Sequence, residues 1–174
     1  GEAEPCGELS GRKEAAVAVI FLETGGEPGL LFTKRAARLG QHAAQISFPV
    51  GALEIEDAGH QAAALRETWE EIGIKAEELE ILAPLPCQPV LDTWLIHPCA
   101  AWWRNPRPLE PNPDEVEKII VSPLKILIEQ HRKDCWMVRD PALACHYQLS
   151  GEILWGATAR ITGRILDRLL VGTP

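Results

Sequence analysis

Gly51-Ala-Leu-Glu-Ile-Glu-Asp57-Ala-Gly-His-Gln-Ala-Ala-Ala-Leu-Arg66-Glu67-Thr68-Trp69-Glu70-Glu71-Ile72-Gly73-Ile74 reads as a turn-rich loop, an alanine-rich helix and a glycine stop. At about 100° per residue, Glu67, Glu70 and Glu71 fall within one arc of the helix, while Leu65, Trp69 and Ile72 gather on the opposite side. The pattern predicts a core face and a chemical face. Asp57 is placed to cap a helix that begins near Ala58, and Gly73 to end it. Glu67 and Glu71 form a like-charge pair that costs roughly 0.2–0.5 kcal/mol on an isolated helix, and Glu70 adds to the crowding. A bound cation reverses that sign. Carboxylate ligands that leave positions open for water and phosphate oxygens suit Mg²⁺ or Mn²⁺ rather than zinc. Standing alone, such a run is most often a solvated acidic face, so the flanking residues decide.

The chain has 174 residues, 46% of them apolar, which fits one domain burying roughly two-thirds of its unfolded surface. Residues 1–13 are small, polar or charged and include Pro5; they are expected to form a flexible tail, with a single domain over 14–172. No apolar run reaches the roughly 18 residues of a membrane span, and the N-terminal stretch lacks the pattern of a signal peptide. A cytosolic location is expected, with no membrane partner. Cys6, Cys87, Cys99, Cys135 and Cys145 show no Cys-x-x-Cys spacing and read as free, mostly buried thiols. A net charge of −8 argues against nucleic-acid binding, which needs a surplus of Lys and Arg over an extended face. An anionic substrate must then be drawn in locally, by cations on the glutamate helix and by the basic stretch Lys34-Arg35-Ala-Ala-Arg38. A homodimer is compatible with the chain.

Strands are expected at 15–22, 30–34, 45–50, 79–85, 94–103, 115–121, 135–139, 144–149 and 153–155, from apolar, β-favouring runs bounded by Gly and Pro. Ser122-Pro123 opens a helix over 124–130, and an amphipathic helix over 157–170 closes the chain. Without regular βαβ alternation, this order points to an α+β fold built on a mixed sheet.

Arg66-Glu67-Thr68-Trp69-Glu70-Glu71-Ile72-Gly73-Ile74 resembles, position for position, the Arg-Glu-U-x-Glu-Glu-x-Gly-U core of the Nudix box, where U is bulky or apolar; Thr68 is the loosest match. Gly51 lies fifteen residues before Arg66 instead of fourteen, and Asp57 stands where the box has its first Glu. That spacing is similar to the coenzyme A pyrophosphatase branch of the Nudix superfamily. Upstream, Leu31, Thr33, Arg35, His42, Phe48, Pro49 and Gly51 match in order the signature that precedes the box in that branch, Leu-Leu-Thr-x-Arg-Ser then His-x-Gly-x-x-x-Phe-Pro-Gly-Gly, once a one-residue difference before Thr33 is allowed. Trp155-Gly-Ala-Thr-Ala159 is similar to the opening of the last helix there. Three departures stand out: Ala36 for Ser, Ala44 for Gly, and Val50 for the first Gly of Phe-Pro-Gly-Gly. If that glycine position is left-handed, Val50 is strained by about 1–2 kcal/mol.

The resemblance implies a Nudix-like mixed β-sheet sandwiched between α-helices, and metal-assisted hydrolysis of a phosphoanhydride. It implies Glu67, Glu70 and Glu71 as metal ligands, with Glu115 from Asn112-Pro-Asp-Glu-Val-Glu117 completing the set. Glu67, Arg66 and Glu71 carry catalysis, Arg66 by orienting a box carboxylate. The general base is Glu67 or a loop carboxylate among Asp114, Glu115 and Glu117. Lys34, Arg35, Arg38, His42 and Gly51 are expected to contact a small-molecule nucleotide, with Gly51 allowing close backbone approach. Coenzyme A or its thioesters come first as substrate, then a dinucleotide or ADP-ribose; a noncatalytic nucleotide sensor is the other class. His60 stands at an exposed helix start and His97, His131 and His146 show no ligand spacing, so no zinc role is expected of them. Trp102 and Trp103 read as core.

Overall fold

A computed structural model describes residues 11–38, 44–91, 93–132 and 146–171. The longest apolar run forms the central strand β1 (Lys13–Thr24), which enters the fold one residue before the boundary suggested by composition. It pairs antiparallel with β2 (Glu27–Arg35) through a tight turn at Gly25 and Gly26, where φ is 60° and 79°. On its other side it runs parallel to β7 (Trp94–Trp103). The sheet is therefore mixed. β3 (Ile46–Ser47) and β8 (Val116–Pro123) extend it from β2, β4 (Val50–Ala52) pairs with the start of β1, and β5 (Leu79–Pro84) and β6 (Gln88–Val90) border β7. β9 (His146–Leu149) and β10 (Glu152–Trp155) form a separate hairpin. The strand expected at 135–139 lies outside the described residues.

Alternation along β1 makes the sandwich. Ala16, Ala18, Ile20 and Leu22 face one core, whereas Val17 and Val19 face the other. The first core is covered by α1 (His60–Ile72) through Ala63, Ala64 and Ile72. The second is covered by α2 (Leu124–Arg132) and α3 (Gly156–Val171) through Leu124, Leu127, Ile161, Ile165 and Leu166. Fully burying each large aliphatic side chain contributes about 1.5–3 kcal/mol. The α+β mixed-sheet sandwich is present as expected. Across α2, β9 and α3, buried His131 bonds through Nδ1 to Tyr147 Oη at 2.9 Å and through Nε2 to Asp167 at 2.8 Å.

Four expectations need correction. Helix α1 begins at His60, with Gly59 as its cap residue and no side-chain cap. Asp57 does not cap it, because its carboxylate accepts the Glu54 N–H at 2.9 Å and is otherwise taken up by Arg66. Trp69 is 54% exposed, while Thr68 is fully buried and donates its hydroxyl to Ala64 O at 2.7 Å. The cause is the row of small residues: Ala63, Ala64 and Thr68 let α1 lie close on the sheet, which rotates Trp69 outward. Cys87 is disulfide-bonded, so the free-thiol reading fails there, whereas Cys99 is free and buried.

The strain expected at Val50 is absent. Val50 sits in β4, paired with Val17, and is not among the residues with positive φ. Of the two positions where a glycine was expected, Ala44 is the left-handed one, at φ 60°. Ala44→Gly should raise the urea midpoint. The net gain is about 0.5–1 kcal/mol, the left-handed penalty of roughly 1–2 kcal/mol less the additional chain entropy that glycine loses. A lowered midpoint would show that the segment tolerates alanine without strain.

Candidate active site

Because Glu71 follows Ala64 by seven residues, it lies only about 20° from it around the helix, inside the buried row rather than opposite it. Glu71 is 1% exposed. The core face and the chemical face of α1 therefore overlap. Glu67 sits on the adjoining turn, largely buried, and its carboxylate lies where a Cβ on Gly51 would be, 1.9 Å from Glu67 Cδ. Only glycine leaves that room. β4 brings Gly51 into place through its pairing with Ala16.

The third carboxylate arrives from the loop before β8. Asn112 donates its backbone N–H to Glu71 O at 2.8 Å and its side-chain amide to Glu115 Oε1 at 3.0 Å. Its own Oδ1 accepts the Asp114 N–H at 3.1 Å, and its carbonyl accepts the N–H of Glu115 and Val116. Ala36, just past β2, donates its N–H to Glu115 O at 2.8 Å. These contacts bring ligand atoms of Glu67, Glu71 and Glu115 within 4.8 Å of one another. Sequence reading missed the positioning role of Asn112. The signal was its turn-forming Asn-Pro-Asp context, since an Asx side chain bonds readily to backbone two residues on.

Arg66 holds the frame. Its Nε and Nη2 bond both oxygens of Asp57 at 3.0 Å, Nη2 reaches Ala52 O at 3.1 Å, and Nη1 reaches Glu67 at 2.7 Å and Glu70 at 3.2 Å. Glu70 thus faces Arg66 and stands outside the close cluster. Asp57 is held below its ordinary pKa by the guanidinium. Arg35 approaches Glu71 at 3.7 Å, and its buried Nε has no hydrogen-bond partner. Lys34 lies between Glu117 and Glu152, at 3.0 and 2.9 Å, which ties β2 to β8 and β10. Arg38 grips Asp114 and the Pro113 carbonyl, bracing the loop that carries Glu115. His42 lies outside the described residues.

Burial pushes the Glu71 carboxyl up to about 8, opposed by Arg35 and reinforced by Glu67 and Glu115. Burial raises Glu67 as well, with Arg66 opposing. One oxygen of Glu71, Oε2, is buried without a hydrogen-bond partner. An orphaned carboxylate oxygen beside two further carboxylates is a donor set for a hard divalent cation, which supplies the missing partner and offsets the repulsion.

The family profile described as NUDIX domain matches residues 12–139. The chain belongs to the Nudix family. An uncharacterized Nudix hydrolase NudL of Citrobacter koseri is 32% identical over 158 residues, covering 89% of this chain and 82% of the relative. A NudL of Salmonella paratyphi B is 30% identical over 157 residues, covering 88% and 81%. Among solved structures, a C. elegans Ap4A hydrolase binary complex shares the fold at TM-score 0.61 with 19% identity, covering 92% of this chain and 99% of that one. The M. smegmatis Nudix hydrolase RenU shares it at TM-score 0.63 with 17% identity, covering 94% and 88%. The protein is a Nudix hydrolase, of a family that acts on nucleoside diphosphate derivatives. No helix among the described residues is long and apolar enough to cross a membrane.

Two outcomes follow from this geometry. Gly51→Ala displaces the Glu67 carboxylate from Arg66 while leaving the backbone in place, so stability should fall by no more than a lost ion pair while hydrolysis falls at least about tenfold, read by kinetics alongside thermal melting. Full activity in that variant would mean that Glu67 has another productive position. In the metal-free protein, Glu71 keeps its proton up to about pH 8, whereas the unfolded chain releases it near 4.5, so the folded state holds more protons between these values. Stability therefore falls as pH rises. Comparison with Glu71→Gln isolates the effect, because every other titrating group is common to the two chains. Denaturant titrations in EDTA should show this decline, with a shallower slope in Glu71→Gln; equal slopes would place the titration elsewhere.

Proposed function

We propose that the protein hydrolyses the pyrophosphate bond of coenzyme A or its thioesters, giving 3′,5′-ADP and 4′-phosphopantetheine or its acyl derivative, with Mg²⁺ or Mn²⁺. The observation that supports this reading is that Arg35 and Gly51, two described residues of the stretch resembling the coenzyme A signature, border the glutamate cluster. Arg35 lies against Glu71, Gly51 makes room for Glu67, and Phe48 anchors the stretch in the core by stacking on Phe32 at 4.9 Å. Substrate recognition and metal binding then share one set of backbone contacts.

In this reading Glu67, Glu71 and Glu115 hold the cation, and Glu70 is a fourth carboxylate on the same turn. The metal would neutralise phosphate charge and make a bound water more acidic. Arg66 keeps Glu67 in its rotamer. Arg35, 3.7 Å from Glu71 and with an unpartnered Nε, would be free to contact the pyrophosphate if a cation neutralised that carboxylate. Among the carboxylates weighed as general base, Asp114, Glu117 and Glu67 each face a cation, Arg38, Lys34 and Arg66, whereas Glu115 accepts from the neutral amide of Asn112, which favours Glu115. Arg38, half exposed beside the Glu115 loop, would reach the 3′-phosphate by exchanging its contact with Asp114 for the substrate. The location remains the cytosol, as expected for an enzyme of coenzyme A turnover.

A panel of coenzyme A, acetyl-coenzyme A, dephospho-coenzyme A, ADP-ribose and a dinucleoside polyphosphate, with products read by mass, tests the assignment. Coenzyme A or its thioester should be cleaved fastest, only with added metal, and Glu67→Gln and Glu71→Gln should abolish cleavage without unfolding. Arg38→Ala should lower kcat/KM for coenzyme A by about tenfold, the loss of one charge-assisted contact, and affect the dephospho form less. Preferential cleavage of ADP-ribose or the dinucleotide would assign the runner-up substrate. Binding without turnover of any would make the domain a sensor.

A further inference from the structure

Glu14, His60 and His97 are scattered along the sequence, yet the fold brings a ligand atom of each within 4.8 Å of the others. Glu14 lies on β1 and His97 on the parallel strand β7, where Ala16, two residues on from Glu14, pairs with His97. His60 is the first residue of α1, packed over the same face. Its Nε2 lies 2.8 Å from one oxygen of Glu14, and His97 Nε2 lies 3.9 Å from the other. The two imidazoles stack with centroids 3.6 Å apart and planes 12° from parallel.

A hydrogen bond between His60 and Glu14 accounts for part of this arrangement. It leaves His97 unexplained. Nε2 of His97 is buried and has no hydrogen-bond partner, since 3.9 Å is too long for one. Buried polar atoms are nearly always satisfied, and an orphan aimed at a carboxylate and a second imidazole calls for a shared occupant.

We propose that Glu14, His60 and His97 form a second metal site, selective for Zn²⁺ over Mg²⁺ and separate from the glutamate cluster of α1. Two imidazoles and one carboxylate make up a known zinc donor set that keeps a fourth position open. Imidazole suits zinc, nickel and copper, whereas Mg²⁺ and Mn²⁺ prefer oxygen alone. Bonds of about 2.0–2.2 Å set tetrahedral ligand atoms roughly 3.3 Å apart, and the separations of 2.8 and 3.9 Å straddle that value. Parallel rings direct their lone pairs side by side, so coordination opens the stack. His60, whose side chain is 40% exposed, has room to turn. A bound ion would tie the first turn of α1 to β1 and β7, stiffening the loop that presents Asp57 to Arg66.

Calorimetric titration of Zn²⁺ into metal-free protein tests this in four chains: the unmutated one, Glu71→Gln, His60→Gln and His97→Ala. A tight Zn²⁺ equivalent should persist in Glu71→Gln. Both histidine variants should bind that equivalent at least about a hundredfold more weakly, since a second-shell partner alone accounts for roughly 10- to 100-fold. In ¹⁵N spectra of the imidazoles, Zn²⁺ should shift Nε2 of both histidines together, and Mg²⁺ neither. His60 is partly exposed, so His60→Gln stays folded even if His97→Ala does not. Unchanged Zn²⁺ affinity in folded His60→Gln overturns the proposal, as do imidazole resonances that ignore several equivalents of Zn²⁺.

Discussion

Placing the carboxylate of Glu71 inside the buried row of α1 is the constraint around which the rest of the molecule is arranged. A charge there is strongly disfavoured, as burial pushing its pKa up to about 8 shows. The fold answers with partial compensation only. Arg35 stands 3.7 Å away and the Val50 N–H also opposes the shift, yet Oε2 remains without a partner and Glu67 and Glu115 crowd the same space. Proton and divalent cation therefore compete for one vacancy in the electrostatics. In the proposed site that competition would make metal affinity rise with pH until Glu71 is ionised.

Arg66 does the opposite work. It faces four carboxylates, those of Glu54, Asp57, Glu67 and Glu70, and none of its contacts needs metal. Its pairing with both oxygens of Asp57 ties the loop after β4 to the middle of α1, a fork geometry that lysine cannot reproduce. Glu67 is consequently aimed before any ligand arrives. Preorganisation on a helix packed against a sheet holds a carboxylate more firmly than a loop can. Glu115, which does come from a loop, needs Asn112, Ala36 and Arg38 to brace its segment.

Local information made much of this legible. The long β-favouring runs of β1, β2 and β7 and the glycine stop at Gly73 are readable because each depends on neighbours in sequence. The rotation of α1 is not, because apolar counting favours Trp69 and Leu65, whereas the sheet selects Ala63, Ala64 and Thr68 for closeness. The same limit explains the misplaced strain. A left-handed residue was expected at Val50, but β4 pairing holds that position extended and the turn falls at Ala44. Asn112 and the Glu14, His60 and His97 group were invisible for another reason: they are assembled by strand register and loop docking, which no spacing rule reports.

The two metal-competent groups sit at different points along α1, and their chemistry differs accordingly. At the first turn, imidazole nitrogens meet one carboxylate at a partly exposed rim; further along, three carboxylates meet around the buried Glu71. A soft-to-borderline ion and a hard ion are therefore sorted by donor type, not by raw affinity, which would favour the transition metal at both. Because α1 is one rigid element, anything that fixes His60 against the sheet also fixes the phase of Glu67 and Glu71 around the helix axis. A rotation of one residue step, about 100°, would take Glu71 out of the buried row entirely. A cation fixing His60 against β1 and β7 would therefore limit how far Glu67 and Glu71 can turn about the helix axis.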